Sequence, residues 1–122
     1  MGVKECYKKM AGDYDEAVRR MGSDERIIKY LKILQRDTNF KSLCEAIEKN
    51  DLKTAFCAAH TLKGIALNLS LTSLADSIIE LTEMLRSGMP NENMVLLLHN
   101  AKKTYELTLE CIDALINIEW KG

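Results

Sequence analysis

Residues 59–86 read AHTLKGIALNLSLTSLADSIIELTEMLR, and apolar side chains recur through this stretch with a helical period. In its second half the spacing alternates between three and four residues, which is typical of a helix that packs in a bundle. The residues with this spacing are Leu71, Leu74, Ile78, Leu81 and Leu85. The first half continues a stripe that starts upstream and comprises Ala55, Ala59, Leu62, Ala66 and Leu69. We therefore predict two consecutive amphipathic helices, at about 52–69 and 72–87.

Capping signals divide the N-terminal part of the chain. Gly12 ends a first short helix, and Asp13 with Glu16 forms a capping-box pair that opens a second. Gly22 suits the C-terminal end of that second helix because glycine readily adopts the left-handed conformation found there. These signals predict one or two short helices within about residues 3–21.

A long helix is predicted at about 24–49, with Ser23 as its N-cap and acidic residues in its first turn. It has two apolar sets, one around Leu31 and one around Leu43, which are rotated by roughly half a turn on a helical wheel. The helix therefore either kinks near residues 37–39 or changes the neighbours that it faces along its length. We expect one continuous helix.

The last helix is predicted at about 91–120, after Ser87-Gly88 and Pro90, which interrupt the helical pattern. Its expected apolar stripe is Val95, Leu98, Tyr105, Leu109, Ile112 and Ile116, with Trp120 near the end. No segment has strand-like alternation. The sequence thus predicts a single all-α domain over residues 1–122, an antiparallel up-and-down four-helix bundle with the short N-terminal helices packed across one end.

Composition excludes several classes of function. The chain has 122 residues, a formal net charge of −1 and a pI of about 6.1, so bulk charge gives no reason to expect nucleic acid or a membrane surface as partner. No apolar run is long enough to span a membrane, and no signal peptide is visible. We expect a cytoplasmic monomer whose four scattered cysteines are small buried hydrophobic residues.

Three unusual residues lie in the helix predicted at 52–69. On the wheel His60, Lys63 and Gly64 form a strip, with Leu67, at the margin of the apolar stripe, and Lys53 joins it from two turns earlier. A neutral imidazole is a nitrogen nucleophile, and a lysine one turn away can meet the oxygens of a phosphoryl group. Glycine leaves room for that group, although it costs about 1 kcal/mol in a helix.

Other interpretations of His60 fit the spacing equally well. A histidine at the edge of a helix can be structural or simply exposed, and histidine with lysine three residues later occurs often by chance. A metal-binding bundle would need several inward-facing ligands, whereas the chain has only two histidines, and His99 is expected on the surface near the start of the last helix. We therefore predict no metal site.

The hexapeptide A-H-T-L-K-G at residues 59–64 resembles the signature of histidine-containing phosphotransfer (HPt) domains of phosphorelays. The stretch 59–86 is similar to the two central helices of that family, and G-D-Y-D-E-A-V-R-R-M-G-S-D-E-R-I-I-K-Y-L at 12–31 is similar to its usual opening. The resemblance covers nearly the whole chain and implies a four-helix bundle.

By position, the resemblance implies that His60 is the phosphorylated histidine, Lys63 neutralises the phosphoryl group and Gly64 gives access to it. Thr82 stands where the family often has Gln or Glu to orient the imidazole through Nδ1, and its shorter side chain would need a bridging water. Ser70 replaces the glycine usual after the helix end, so a positive φ there would strain the backbone by about 1 kcal/mol.

The implied function is that of a phosphorelay intermediate, which accepts a phosphoryl group from a receiver-domain aspartate or a sensor kinase and passes it to another receiver. The implied partners are the receiver domains of response regulators or hybrid kinases. Candidate docking residues are Lys53, Ile65, Leu67, Met84 and Arg86, each of which also suits an ordinary surface or core position. No cofactor is expected, Mg²⁺ would belong to the receiver, and no ATP-binding motif is present. A scaffold that docks receivers without phosphorylation, or a kinase dimerisation domain, would be the alternative.

Overall fold

A computed structural model describes residues 2–119, and these residues form seven α-helices without a strand. The helices are α1 (Val3–Lys9), α2 (Tyr14–Met21), α3 (Asp24–Arg36), α4 (Asn39–Glu48), α5 (Leu52–Asn68), α6 (Thr72–Arg86) and α7 (Asn93–Glu119). The fold is therefore all-α, as the sequence predicts. Trp120 lies outside the described residues.

The predicted long helix at 24–49 is wrong, because the chain breaks between α3 and α4. Asp37 has an extended backbone, with φ −67° and ψ 141°, so the helix cannot continue through it. Its carboxylate accepts hydrogen bonds from the backbone N–H of Asn39 at 2.9 Å and from the side-chain amide of Asn39 at 2.7 Å. A short polar side chain here competes with the helical hydrogen bonds and holds the start of α4.

The break explains the two apolar sets, since each segment buries its own face. The side chains of Ile27, Leu31 and Leu34 are buried on α3, which packs against α2 and α7. The side chains of Phe40 and Leu43 are buried on α4, which packs against α5. The half-turn rotation in the sequence is thus taken up by the chain between Arg36 and Asn39.

Consecutive helices pack against one another from α4 to α7. The rings of Phe40 on α4 and Tyr105 on α7 stack with centroids 4.4 Å apart, so the last helix also contacts the first of this series. The stripe predicted for α6 is fully buried, from Leu71 to Leu85. The buried side chains of these helices form one core cluster with those of α1 to α3, which include Tyr7 and Leu31.

The predicted stripe of α7 is partly wrong. Val95 is 77% exposed, whereas its neighbour Met94 is buried and the buried series continues through Ala101 and Thr108. Small and polar residues thus occupy positions on the core face of α7. A pattern based on large apolar residues misses them and assigns the start of the stripe to the wrong side of the helix.

The N-terminal helices are tied to the turn between α5 and α6. The N–H of Asp13 donates to the carbonyl of Ser70 at 2.9 Å, and the N–H of Ser73 donates to the carbonyl of Ala11 at 3.2 Å. A Cβ at Gly12 would come within 3.0 Å of the Ser70 carbonyl, so only glycine allows the two turns to approach this closely. Helix α1 also packs against α2, α3 and α7.

Candidate functional site

The site is built on α5, whose N-terminus is capped by Asp51. The Asp51 carboxylate accepts a hydrogen bond from the N–H of Thr54 at 3.2 Å. Hydrogen bonding with Thr54 lowers the pKa of Asp51, so the carboxylate is charged at neutral pH and the cap weakens only as the pH falls through this lowered pKa. The helix that carries the candidate residues therefore has a defined start.

The faces of α5 follow the helical wheel. The predicted core stripe is buried from Ala55 to Leu69, and Thr54, Thr61 and Asn68 are exposed. His60 is exposed at the edge of this stripe, and Lys63, one turn along the same helix, is half-buried. The histidine ring is thus open to a reaction partner, while the lysine side chain lies partly against the protein.

Gly64 borders an open space. A Cβ built on Gly64 would meet no heavy atom within 4 Å, apart from its own helix backbone and chain neighbours. Helix packing therefore gives no steric reason for glycine at this position. His60 precedes Gly64 by one turn, so the two positions lie on the same face of α5.

An aromatic side chain that the sequence analysis missed packs on His60. The rings of Phe56 and His60 lie 5.8 Å apart between centroids, with an angle of 21° between their planes. The guanidinium carbon of Arg86, on α6, lies 5.0 Å from the centroid of the Phe56 ring, within the range of a cation–π contact. Arg86 also pairs with Glu83, Nε to Oε2, at 3.4 Å. The spacing of four residues places Phe56 and His60 on the same face of α5, and this spacing could have predicted their contact from the sequence.

Thr82 does not hold the imidazole in this structure. Its side chain is fully buried, and its hydroxyl donates to the carbonyl of Ile78 within α6 at 2.6 Å. No hydrogen bond joins Thr82 to His60, both of which are among the described residues. The threonine hydroxyl therefore bonds within its own helix and not to the imidazole.

The predicted docking residues differ in exposure. Leu67 is 43% exposed, Lys53 and Arg86 are exposed, and Ile65 and Met84 are half-buried and packed against the core. Two open clefts flank the site. One, of about 360 Å³, is lined by Leu52, Lys53, Phe56, Leu85, Arg86 and Gly88. The other, of about 340 Å³, is lined by Arg20, Met21, Tyr30, Ile33, Ile65, Asn68 and Leu69.

Ser70 ends α5 with a positive φ of 55°, the left-handed conformation that favours glycine. The N–H of Leu71 donates to the carbonyl of Ala66 at 2.9 Å, which closes the helix end. The Ser70 hydroxyl donates to Oε1 of Glu16 on α2 at 3.0 Å. The serine thus combines a strained backbone with a hydrogen bond that links the two helices.

Two substitutions separate the effect of the strained Ser70 backbone from the effect of the Ser70 hydrogen bond. We expect Ser70→Ala to lower the free energy of unfolding by about 1 kcal/mol, because it keeps the strain and loses the hydrogen bond to a carboxylate. Ser70→Gly should stay within about 0.5 kcal/mol of wild type, because the relieved strain offsets the lost bond. Urea unfolding measures both. Equal losses for the two variants would show that the positive φ does not strain the serine.

Tyr7 supports the same helix end. Its hydroxyl donates to the carbonyl of Leu69 at 2.7 Å, and the side chain is fully buried. Burial raises the pKa of Tyr7 well above its ordinary value, so the phenol keeps its proton and remains a donor. Helix α1 thereby helps to fix the end of the helix that carries His60.

Other kinds of site find no support among residues 2–119. The described part of the chain has no group of three or more His, Cys, Asp or Glu residues placed to hold a metal ion. None of its helices has the length and apolar character needed to cross a membrane. His99 is exposed near the start of α7. Among the cysteines Cys57 is exposed, so the expectation that all four are buried is wrong.

A comparison with protein-family models matches residues 35–117, more than half of the chain, to the Hpt domain. The chain belongs to the Hpt domain family. Hpt domains act in histidine phosphotransfer in phosphorelay signalling, in which they interact with receiver domains. The match covers α4 to α6, nearly all of α7 and the last two residues of α3, so it includes His60, Lys63 and Gly64 of this Hpt domain. Searches of curated proteins and of solved structures gave no match.

Proposed function

We propose that this Hpt domain is a phosphorelay intermediate with His60 as phosphoacceptor. The observation that supports it best is the arrangement on α5, where an exposed imidazole is followed after one turn by Lys63 and by the open space at Gly64. A structural histidine would need neither a cation nor free space beside it. The family match adds that the domain type transfers phosphoryl groups.

The proposed reaction exchanges two bonds to phosphorus. Nε2 of His60 attacks the phosphorus of an aspartyl phosphate on a receiver domain, and the bond between phosphorus and the aspartate oxygen breaks as the P–N bond forms. The aspartate leaves as a carboxylate, and the imidazole keeps its proton on Nδ1. The reverse sequence of bonds delivers the phosphoryl group to a second receiver.

The roles of the neighbouring residues follow from charge and space. The ammonium of Lys63 offsets negative charge on the phosphoryl oxygens, and Gly64 leaves room for the group and for the partner. Lys53, Ile65, Leu67, Met84 and Arg86 are the proposed contacts with the receiver. Mg²⁺ belongs to the receiver in this scheme, and the chain has no ATP-dependent kinase activity of its own. Thr82 keeps at most an indirect part in orienting the imidazole, since its hydroxyl donates to Ile78.

We also infer an antiparallel four-helix bundle in which α3 and α4 together take the place of the first helix, followed by α5, α6 and α7. Helices α1 and α2 lie across the end formed by the α5–α6 turn. The sequential packing of these helices and the stack of Phe40 on Tyr105 support it. We propose that the domain acts as a cytoplasmic monomer. The four free cysteines are consistent with a reducing compartment.

Phosphorylation of the purified protein tests the proposal. After mixing with a phosphorylated receiver domain, or with a small-molecule phosphodonor such as phosphoramidate, the protein should carry a phosphoryl label that is stable in base and labile in acid. The label should then pass to an unphosphorylated receiver. Receiver binding without label from any donor would instead support a scaffold.

The Gly64→Ala substitution should have opposite effects on the stability of the domain and on its rate of phosphoryl transfer. We expect the free energy of unfolding to rise by about 0.5–1 kcal/mol, because alanine is the better helix former and its Cβ meets no neighbour. Transfer from the receiver should slow, because the methyl group extends into the space that the partner must enter. Thermal unfolding and transfer kinetics on the same preparation measure both effects. A variant that is both more stable and fully active would show that Gly64 gives no access.

A further inference from the structure

The imidazole of His60 lacks a hydrogen-bonding partner within the described part of the protein, but it has a stacking partner. Phe56 precedes it by one helical turn, and the two rings are nearly parallel, 5.8 Å apart between centroids. Phe56 is half-buried whereas His60 is exposed, so the phenylalanine joins the reactive ring to the protein surface. The Phe56 ring is therefore the contact that can limit how the imidazole turns.

Phe56 is itself held from a second helix. The guanidinium of Arg86 on α6 lies over the ring, with Cζ 5.0 Å from the centroid. Arg86 is in turn paired with Glu83 at 3.4 Å. Both Phe56 and Arg86 line the open cleft of about 360 Å³ beside the site. A chain of contacts therefore links α6 to the imidazole, through Glu83, Arg86, Phe56 and His60.

Orientation matters for this reaction because Nε2 must point at phosphorus in line with the leaving oxygen. An exposed side chain on a helix samples more than one rotamer, and each misdirected rotamer lowers the fraction of molecules that can react. A hydrogen bond to Nδ1 would restrict the ring, but the hydroxyl of Thr82 donates to Ile78. Stacking on the Phe56 ring is therefore the described contact that can restrict the rotation of the imidazole.

We propose that Phe56 is the positioning residue for His60, holding the imidazole by stacking so that Nε2 faces the partner, and that Arg86 fixes the Phe56 ring from α6. The inference rests on the proposed role of His60 as phosphoacceptor. Because a single aromatic pair is a weak interaction, we expect removal of the Phe56 ring to lower the rate by about 2- to 10-fold.

Phosphorylation by phosphoramidate alone, without any receiver, tests this role apart from docking. Phe56→Leu removes the flat ring and keeps an apolar side chain, and it should lower the rate of phosphorylation by about 2- to 10-fold. Phe56→Tyr keeps the ring and should stay within about twofold of wild type. Phe40→Leu, which removes an aromatic stack distant in sequence from the site, should lower stability but not the rate for the folded protein.

Nuclear magnetic resonance of His60 gives a direct readout of side-chain orientation, because the coupling between Hα and Hβ reports whether the imidazole keeps one rotamer. The chain has two histidines, so the His60 ring protons are easily separated from those of His99. In Phe56→Leu they should lose the ring-current shift that the stacked geometry predicts for wild type, and the coupling between Hα and Hβ of His60 should become averaged. Phe56→Tyr should retain both.

The possible results distinguish a failure of the positioning role of Phe56 from a failure of the phosphoacceptor role of His60. If wild type accepts no phosphoryl group from any donor, the phosphoacceptor role fails, and the positioning role fails with it. If wild type is phosphorylated and Phe56→Leu reacts at the wild-type rate, or its His60 shifts are unchanged, only the positioning role is overturned.

Discussion

Substitution of His60 by glutamine is expected to abolish phosphorylation completely. Glutamine has a similar length and an amide group, but its nitrogen is not a nucleophile, so no P–N bond can form. His60 is exposed, and its aromatic contact is with the half-buried ring of Phe56, so the fold should remain intact. The measurement is incorporation of acid-labile, base-stable label from a phosphorylated receiver.

His99→Gln is the matched control. It is the other histidine of the chain, it is exposed, and it lies near the start of α7. This variant should take up label at the wild-type rate. If His60→Gln still takes up the label, or if His99→Gln loses it, His60 is not the phosphoacceptor.

Lys63→Ala is expected to have the second largest effect, a decrease of about 10- to 100-fold in the rate of transfer. A charge-assisted hydrogen bond to a phosphoryl oxygen stabilises the transition state by about 1.5–3 kcal/mol, which corresponds to this range. Helical content and stability should change little, because alanine is a good helix former and no salt bridge of Lys63 is present among the described residues.

Two further variants show whether the loss of rate is specific to the positive charge at Lys63. Lys103→Ala removes an exposed lysine from α7 and should leave the rate unchanged. Lys63→Arg keeps the positive charge and should recover most of the lost rate. An unfolded Lys63→Ala protein would instead assign the lysine a structural role, since its side chain is half-buried.

The sequence predicted the faces of α5 and α6 well, because those faces follow from the helical period and burial repeats with it. Spacing alone predicted the buried stripe from Leu71 to Leu85. It also predicted that Ala59 is buried and that Thr61 is exposed. Capping signals were equally local, as Asp13, Ser23 and Asp51 each accept the backbone hydrogen bond expected of an N-cap.

Prediction was poorer where two local preferences competed. The chain around Asp37 could continue a helix or use the carboxylate to bond the start of a new one. In the structure this carboxylate accepts from the N–H of Asn39, and Thr38 is the N-cap of α4. At the start of α7, Met94 and Val95 are both apolar, and which of them is buried depends on how the helix lies against its neighbours. Spacing gives the period of a helix but not its rotation about its own axis.

By itself, the sequence determined the all-α class and the position of His60 at the edge of a core stripe, because these depend on residues close together in the chain. Only the tertiary structure decided that Arg86 packs on Phe56 and that the Ser70 hydroxyl bonds to Glu16. The physical reason is that such contacts join side chains of different helices. Their distances depend on the rotation and separation of whole helices, which no local pattern specifies.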